Sequence, residues 1–126
     1  MKEAVLDAGA LIALERGDPM VRAYLRLAEQ GLVALTTSSA VVAQVWRGGA
    51  RQARLARTLN SDLLTEEPLA RSTSRRIGLL AAATGATDVV DGHVALIALE
   101  RDAVVLTSDP EDLVRWGVPG DRLVIC

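Results

Sequence analysis

Four acids in this chain stand where carboxylates do chemistry. Asp7 directly follows the apolar run Val5-Leu6, and Asp109 directly follows Val105-Leu106-Thr107-Ser108. In an open parallel sheet, sites form just beyond the carboxyl ends of strands, so both acids are expected to leave the sheet at the same edge. Asp88 and Asp91 open a helical stretch and are separated by about 60° at about 100° per residue, so they share a face. The rest of that stretch (Val89, Val90, Val94, Leu96, Ile97, Leu99) is apolar nearly all round, the mark of a buried helix. Carboxylates converging there without matching bases repel one another. Divalent cations resolve such repulsion, and an all-oxygen donor set suits Mg2+ or Mn2+.

Each acid also fits a structural role. Asp109 before Pro110 reads as a helix cap with Asp112 as its box partner, Asp88 as a cap with Asp91 three residues on, and Asp7 as a cap of the helix that follows it. The roles coexist, because a helix N-terminus tolerates an anion. The single histidine, His93, lies roughly 140–160° away from Asp88 and Asp91 on the same helix, which points to packing or a structural hydrogen bond. Arg47, Arg51, Arg54 and Arg57, spaced 4, 3 and 3, form a basic stripe within about 120° if one helix carries them. That stripe reads either as a solvated helix face or as a phosphate-binding surface, since Arg holds phosphate bidentately. Arg71, Arg75 and Arg76 could extend it. No aromatic platform accompanies it, so base stacking is not suggested.

The elements that must position these residues alternate between short apolar runs and helical ones. Strands are expected at about 4–6, 32–36, 62–65, 103–107 and 122–125. Helices are expected at about 9–15, 19–30, 39–48, 50–59, 68–84, 88–101 and 110–116. Asp18-Pro19 is a start signal and Gly31 a stop signal for the second helix. Strands separated by helical crossovers imply an α/β fold, a parallel sheet flanked by helices. At 126 residues and without linker or repeat, 1–126 reads as one domain.

Composition removes other classes. One cysteine, Cys126, and one histidine exclude a disulfide framework and Cys- or His-rich metal sites. Phe is absent and aromatics make up 2% of the chain, so the core must be aliphatic. No stretch is long and apolar enough for a membrane span and no leader is visible, so a cytoplasmic protein is the expectation. The net charge of −2 hides an asymmetry: residues 47–76 hold seven arginines and three acids, residues 77–126 three arginines and eight acids. A basic middle beside an acidic end is the distribution that a function has to explain. A haloacid-type phosphatase would want a second Asp at Gly9, and a phospho-receiver a Lys near the last strands, where the chain has none.

Three segments carry a family resemblance over the whole chain: Val5-Leu6-Asp7-Ala8-Gly9-Ala10-Leu11, Asp88-Val89-Val90-Asp91-Gly92-His93-Val94 and Leu106-Thr107-Ser108-Asp109-Pro110. In this order and spacing they resemble a PIN domain, in particular the VapC-type toxins. The resemblance implies a PIN-like α/β fold and a metal-dependent endoribonuclease using Mg2+ or Mn2+. It also implies a homodimer, and a small antitoxin that holds it in check. By position, Asp7, Asp91 and Asp109 match the family's first, third and fourth acids, and Asp88 an accessory acid. All four are the implied metal ligands, with Asp7, Asp91 and Asp109 catalytic. The second family acid, normally Glu, is matched by Gln44, an oxygen ligand that brings no charge. That departure raises a second reading, a PIN-like protein that binds RNA or a partner without cutting. Arg47, Arg51, Arg54 and Arg57 would be the RNA-binding residues.

Overall fold

The computed structural model describes residues 2–126. Its centre is a five-stranded, all-parallel sheet in the order β3-β2-β1-β4-β5. The strands are β1 (Lys2–Leu6), β2 (Val33–Ser38), β3 (Leu64–Glu67), β4 (Val104–Thr107) and β5 (Leu123–Ile125). Parallel strands are covered on both faces and read as near-continuous apolar runs. Ala4, Val5 and Leu6 are accordingly all buried, as are Val105 and Leu106 beside them. β1 pairs with β2 through Val5↔Thr36 and with β4 through Val5↔Val105. From β1 the chain proceeds outward to β2 and β3, then returns to lay β4 on the other side of β1. The order therefore reverses between β1 and β4, and the crevice beyond their carboxyl ends is the switch point where α/β folds place ligands.

The helices are α1 (Ala8–Glu15), α2 (Pro19–Glu29), α3 (Ser39–Val45), α4 (Ala53–Leu59), α5 (Arg71–Thr84), α6 (Val89–Arg101) and α7 (Pro110–Arg115). α1 packs on α2, α3 and α4, while α6 packs on α5 and α7 and lies against β1, β2 and β4. The Asp18 carboxylate caps α2 by accepting from the amides of Met20 and Val21 at 2.9 and 3.1 Å, as its position before Pro19 predicts. Gly92 to Ala98 of α6 are buried without interruption. Val89 at its start is 58% exposed, so the helix is apolar all round only from its second turn onward.

β2 and β3 each end two residues later than expected, and three helices differ from expectation. α3 stops at Val45, because Trp46 takes an extended conformation (φ −66°, ψ 129°). The expected helix over 50–59 is a single 3-10 turn, Ala50–Gln52, followed by α4. The helix expected from Pro68 begins at Arg71. Pro68 instead ends β3, since the residue before a proline is held extended and Pro cannot donate to a ladder.

Two glycines set how closely the elements approach. A Cβ on Gly9, two residues after Asp7, would strike Ser108, the residue before Asp109. A Cβ on Gly92, one residue after Asp91, would lie 2.6–2.9 Å from the ring of Trp116, which is 1% exposed at the end of α7. A ring wedged among buried side chains cannot yield as a flexible surface group does. Gly92→Ala should therefore destabilise the fold by about 1–3 kcal/mol through overpacking. Urea unfolding followed by Trp116 emission checks it; an unchanged midpoint would mean that α6 and α7 separate freely.

Candidate functional site

Asp7 is 5% exposed at the switch point. Its N–H donates to the Leu106 carbonyl at 3.3 Å, prolonging the β1–β4 ladder by one residue. Its Oδ1 accepts from the Ala10 amide at 2.9 Å and caps α1. Burial pushes its carboxyl above the ordinary range. The Thr107 hydroxyl and the amides of Ala10 and Gly9 oppose that rise, and Asp109 adds to it.

Asp91 sits in the first turn of α6, and its carboxyl is pushed up to about 6. Burial is the largest cause, followed by the negative charges of Asp88, Asp112, Asp7 and Asp109. Side chains from β1, α6 and the β4–α7 segment thus act on one carboxylate. Asp88 caps α6, its Oδ1 accepting from the amides of Val90 and Asp91 at 3.0 and 3.3 Å. Asp109 occupies the position before α7 but accepts no capping bond through its side chain. The Thr107 hydroxyl instead accepts from its N–H at 2.9 Å. The expected capping box with Asp112 does not form. Asp112 pairs with Arg115 at 2.9 Å, and the Asp109 carboxylate is left exposed and uncommitted.

Asp88, Asp91 and Asp112 line one cleft of about 240 Å³, walled by Arg115 and Trp116. Asp109 lines a second groove with Gly9, Arg16, Asp18 and Cys126. Burial and the charges of Asp7 and Asp18 push the Cys126 thiol up to about 11, so it is inert as a nucleophile. Among the described residues, no three His, Cys, Asp or Glu side chains stand together closely enough to share a metal ion. The donor chemistry still suits a hard divalent cation, because the acids are oxygen ligands whose charges raise one another. Gln44 is exposed on the last turn of α3 and lines neither cleft.

His93 lies away from the acids. It is buried with Nδ1 2.6 Å from the Ser38 hydroxyl, and its surrounding charges are Glu67, Arg76 and Glu100. Burial lowers its pKa, which favours the neutral ring, so the packing role expected for it holds.

The four arginines do not share a helix. Arg47 lies in the segment after α3, Arg51 in the 3-10 turn, and only Arg54 and Arg57 in α4. The break is built around buried Gln52, whose Oε1 accepts from the amides of Arg47 and Gly48 at 2.8 and 3.0 Å while its Nε2 donates to the Val45 carbonyl at 2.9 Å. Arg54 and Arg57 face a groove with Arg22. Arg47 and Arg51 border another with Glu15. Sequence reasoning missed Gln52, and it also missed Asp112 as a charge acting on Asp91. The only sequence signal for Asp112 was its place three residues past Asp109, which a cap explained equally well.

A PIN domain family model matches residues 4–116. The chain belongs to the PIN domain family. PIN domains are generally nucleases, and the match covers every acid described above. The fold is similar to that of a chain in the crystal structure of VapBC2 from Rickettsia felis bound to a DNA fragment from their promoter. The TM-score is 0.69 at 17% identity, over 98% of this chain and 97% of that one. No curated protein is similar enough to this chain to count as a match. No helix among the described residues is long and apolar enough to cross a membrane.

The raised Asp91 carboxyl has a consequence for stability. Between its ordinary value of 3.8 and about 6 the folded chain holds a proton that the unfolded chain has lost. Stability contributed by this group is present at low pH and falls as pH rises through that window. With chelator present, Asp91→Asn should melt about 2–5 °C above the unchanged chain at neutral pH, allowing for the screening of a half-buried group, and level with it near pH 4. Equal melting temperatures at neutral pH would mean that Asp91 does not feel its neighbours.

Proposed function

We propose that this PIN domain, spanning 1–126, is a metal-dependent endoribonuclease that hydrolyses RNA phosphodiesters in the cytoplasm as the toxin of a toxin–antitoxin pair. The observation that carries the reading is Asp91, raised by burial and by four other aspartates at the β1–β4 crevice. A lone set of caps would not be expected to converge electrostatically. The VapC-like motifs support RNA as substrate. Likeness in fold to a chain of a VapBC2 complex supports a small antitoxin as partner, and the family resemblance supports a homodimer.

Asp7, Asp91 and Asp109 are the ligands that would hold Mg2+ or Mn2+, with Asp88 at the edge through the oxygen its capping bonds leave free. Asp7 is the fixed member, since its backbone is tied to β4 and one of its oxygens to Ala10. Asp109 is the member free of any cap, so its carboxylate would be available to the ion. When bound, the ion supplies Lewis acidity and neutralises charge for phosphodiester hydrolysis. Arg47, Arg51, Arg54 and Arg57 hold the RNA backbone, on two grooves rather than along one stripe. Gln44, where the family has Glu, contributes at most a neutral oxygen.

The chain should cleave a mixed RNA pool weakly with Mn2+ or Mg2+. Chelator should abolish cleavage, and Asp7→Asn should reduce it at least about 100-fold. Gln44→Glu should tighten divalent-ion binding roughly tenfold by calorimetry, since a hard cation gains from each added anionic oxygen. Cleavage that survives chelation would overturn the mechanism. Cleavage that appears only in Gln44→Glu would replace it with the binding-only reading.

A further inference from the structure

The chain has two indoles in opposite situations. Trp116 is 1% exposed and packs on Gly92, whereas Trp46 is 39% exposed. Trp46 stands at the break between α3 and the 3-10 turn, followed by Arg47-Gly48-Gly49. A loop that holds a large aromatic in solvent is ordinarily free to fold it away. This one is fixed. Gln52 spends both ends of its buried amide on the backbone either side of the indole, with bonds to Val45, Arg47 and Gly48. Gly48 takes a positive φ of 80° there, which a side chain rarely adopts. Arg47 folds its Nη1 back to the Trp46 carbonyl at 2.7 Å, which brings the guanidinium beside the indole's own backbone. Arg47 and Arg51, together with Glu15, line a groove of about 520 Å³ that begins at the residue after Trp46.

We propose that Trp46 is a nucleobase-stacking platform, with Arg47 and Arg51 gripping phosphates of the same single strand. This rests on the RNA reading above and adds a site to it. Strand-binding surfaces combine a positive groove with aromatics on which unpaired bases stack. A platform whose backbone Gln52 already fixes loses less further entropy when a base settles on it. A protein partner would instead need a contiguous apolar patch with the indole at its centre. The exposed residues that follow Trp46 are Arg47, Gly48, Gly49, Ala50 and Arg51, which make no such patch. The platform is easily overlooked in sequence, because a helix running to Gly48 would place Trp46 among ordinary amphipathic positions.

The test uses the full chain in chelator, so that RNA is bound and not cut, with a short single-stranded RNA of mixed sequence as probe. Binding should quench the Trp46 emission. Trp46→Ala should weaken binding about 5- to 100-fold, the range for losing one stacked base, without changing its salt dependence. Trp46→Phe should stay within a few-fold of the unchanged chain. Trp46→Leu, apolar but unable to stack, should behave like the alanine variant. Changing Arg47 and Arg51 together to Ala should flatten the salt slope by about 1.4 log units per log salt. Duplex RNA should compete poorly, because its bases are not free to stack. If Trp46→Ala binds as tightly as the unchanged chain, the platform is wrong while the RNA reading stands. If the unchanged chain binds no RNA, the substrate reading fails and the platform with it.

Discussion

The pairing of β1 with β4 is the constraint on which the site depends. The register Leu6↔Leu106, extended by the bond from the Asp7 amide to the Leu106 carbonyl, fixes where both strands end. Everything beyond that point is placed relative to it: α1 starts on Asp7, and the turn through Ser108 starts on Thr107. Gly9 lets these two exits run against each other, and Thr107 serves both, since its hydroxyl supports the Asp7 carboxylate and accepts from the Asp109 amide. A slip of one residue between the strands would turn every side chain in β1 to the other face, with Asp7 among them. The same aliphatic contacts that bury Val5 and Val105 therefore also aim the acids.

The arrangement carries an electrostatic load that the fold meets only in part. Asp7 and Asp88 are stabilised by amides at helix N-termini, where backbone dipoles favour an anion. Asp112 has Arg115. Asp91 and Asp109 have no such partner among the described residues, and Asp91 bears the result. Elsewhere three ion pairs form: Arg76 with Glu100, Arg101 with Glu67, and Arg122 with Asp102. At the sheet edge where α/β folds bind ligands, by contrast, Asp91 and Asp109 stand among further acids without a cation, which is the pattern of a site.

Much of this was legible in the sequence, for identifiable reasons. The ends of β1 and β4 are marked by short aliphatic runs that stop at a polar residue, so Asp7 and Asp109 could be assigned to one edge. Asp18-Pro19 and Asp88 announce helix starts by local chemistry alone. The break between α3 and α4 was not legible. Arg47, Arg51, Arg54 and Arg57 fit a helical period, and what interrupts it is a side chain, Gln52, bonding to backbone four to seven residues earlier. Periodicity does not register such a bond. The closeness of Asp112 to Asp91 was hidden likewise, because it depends on Trp116 lying flat on Gly92 across two helices. Whether Asp109 caps its helix also required geometry, since Asp before Pro is the same signal whether or not the bond forms.

The place of β1 in the sheet also dictates an order of assembly. Its first neighbour, β2, follows after α1 and α2 at Val33, but its second neighbour, β4, does not begin until Val104. As the polypeptide leaves the ribosome, β1, β2 and β3 can pair early, with one side of β1 still bare. Asp7 then has neither the Leu106 carbonyl nor the Thr107 hydroxyl, and Asp109 has not yet been made. Long-range parallel pairing of this kind closes late and slowly. The acidic crevice is therefore incomplete until the last strands dock, and a cell making this protein meets it only after synthesis has passed β4.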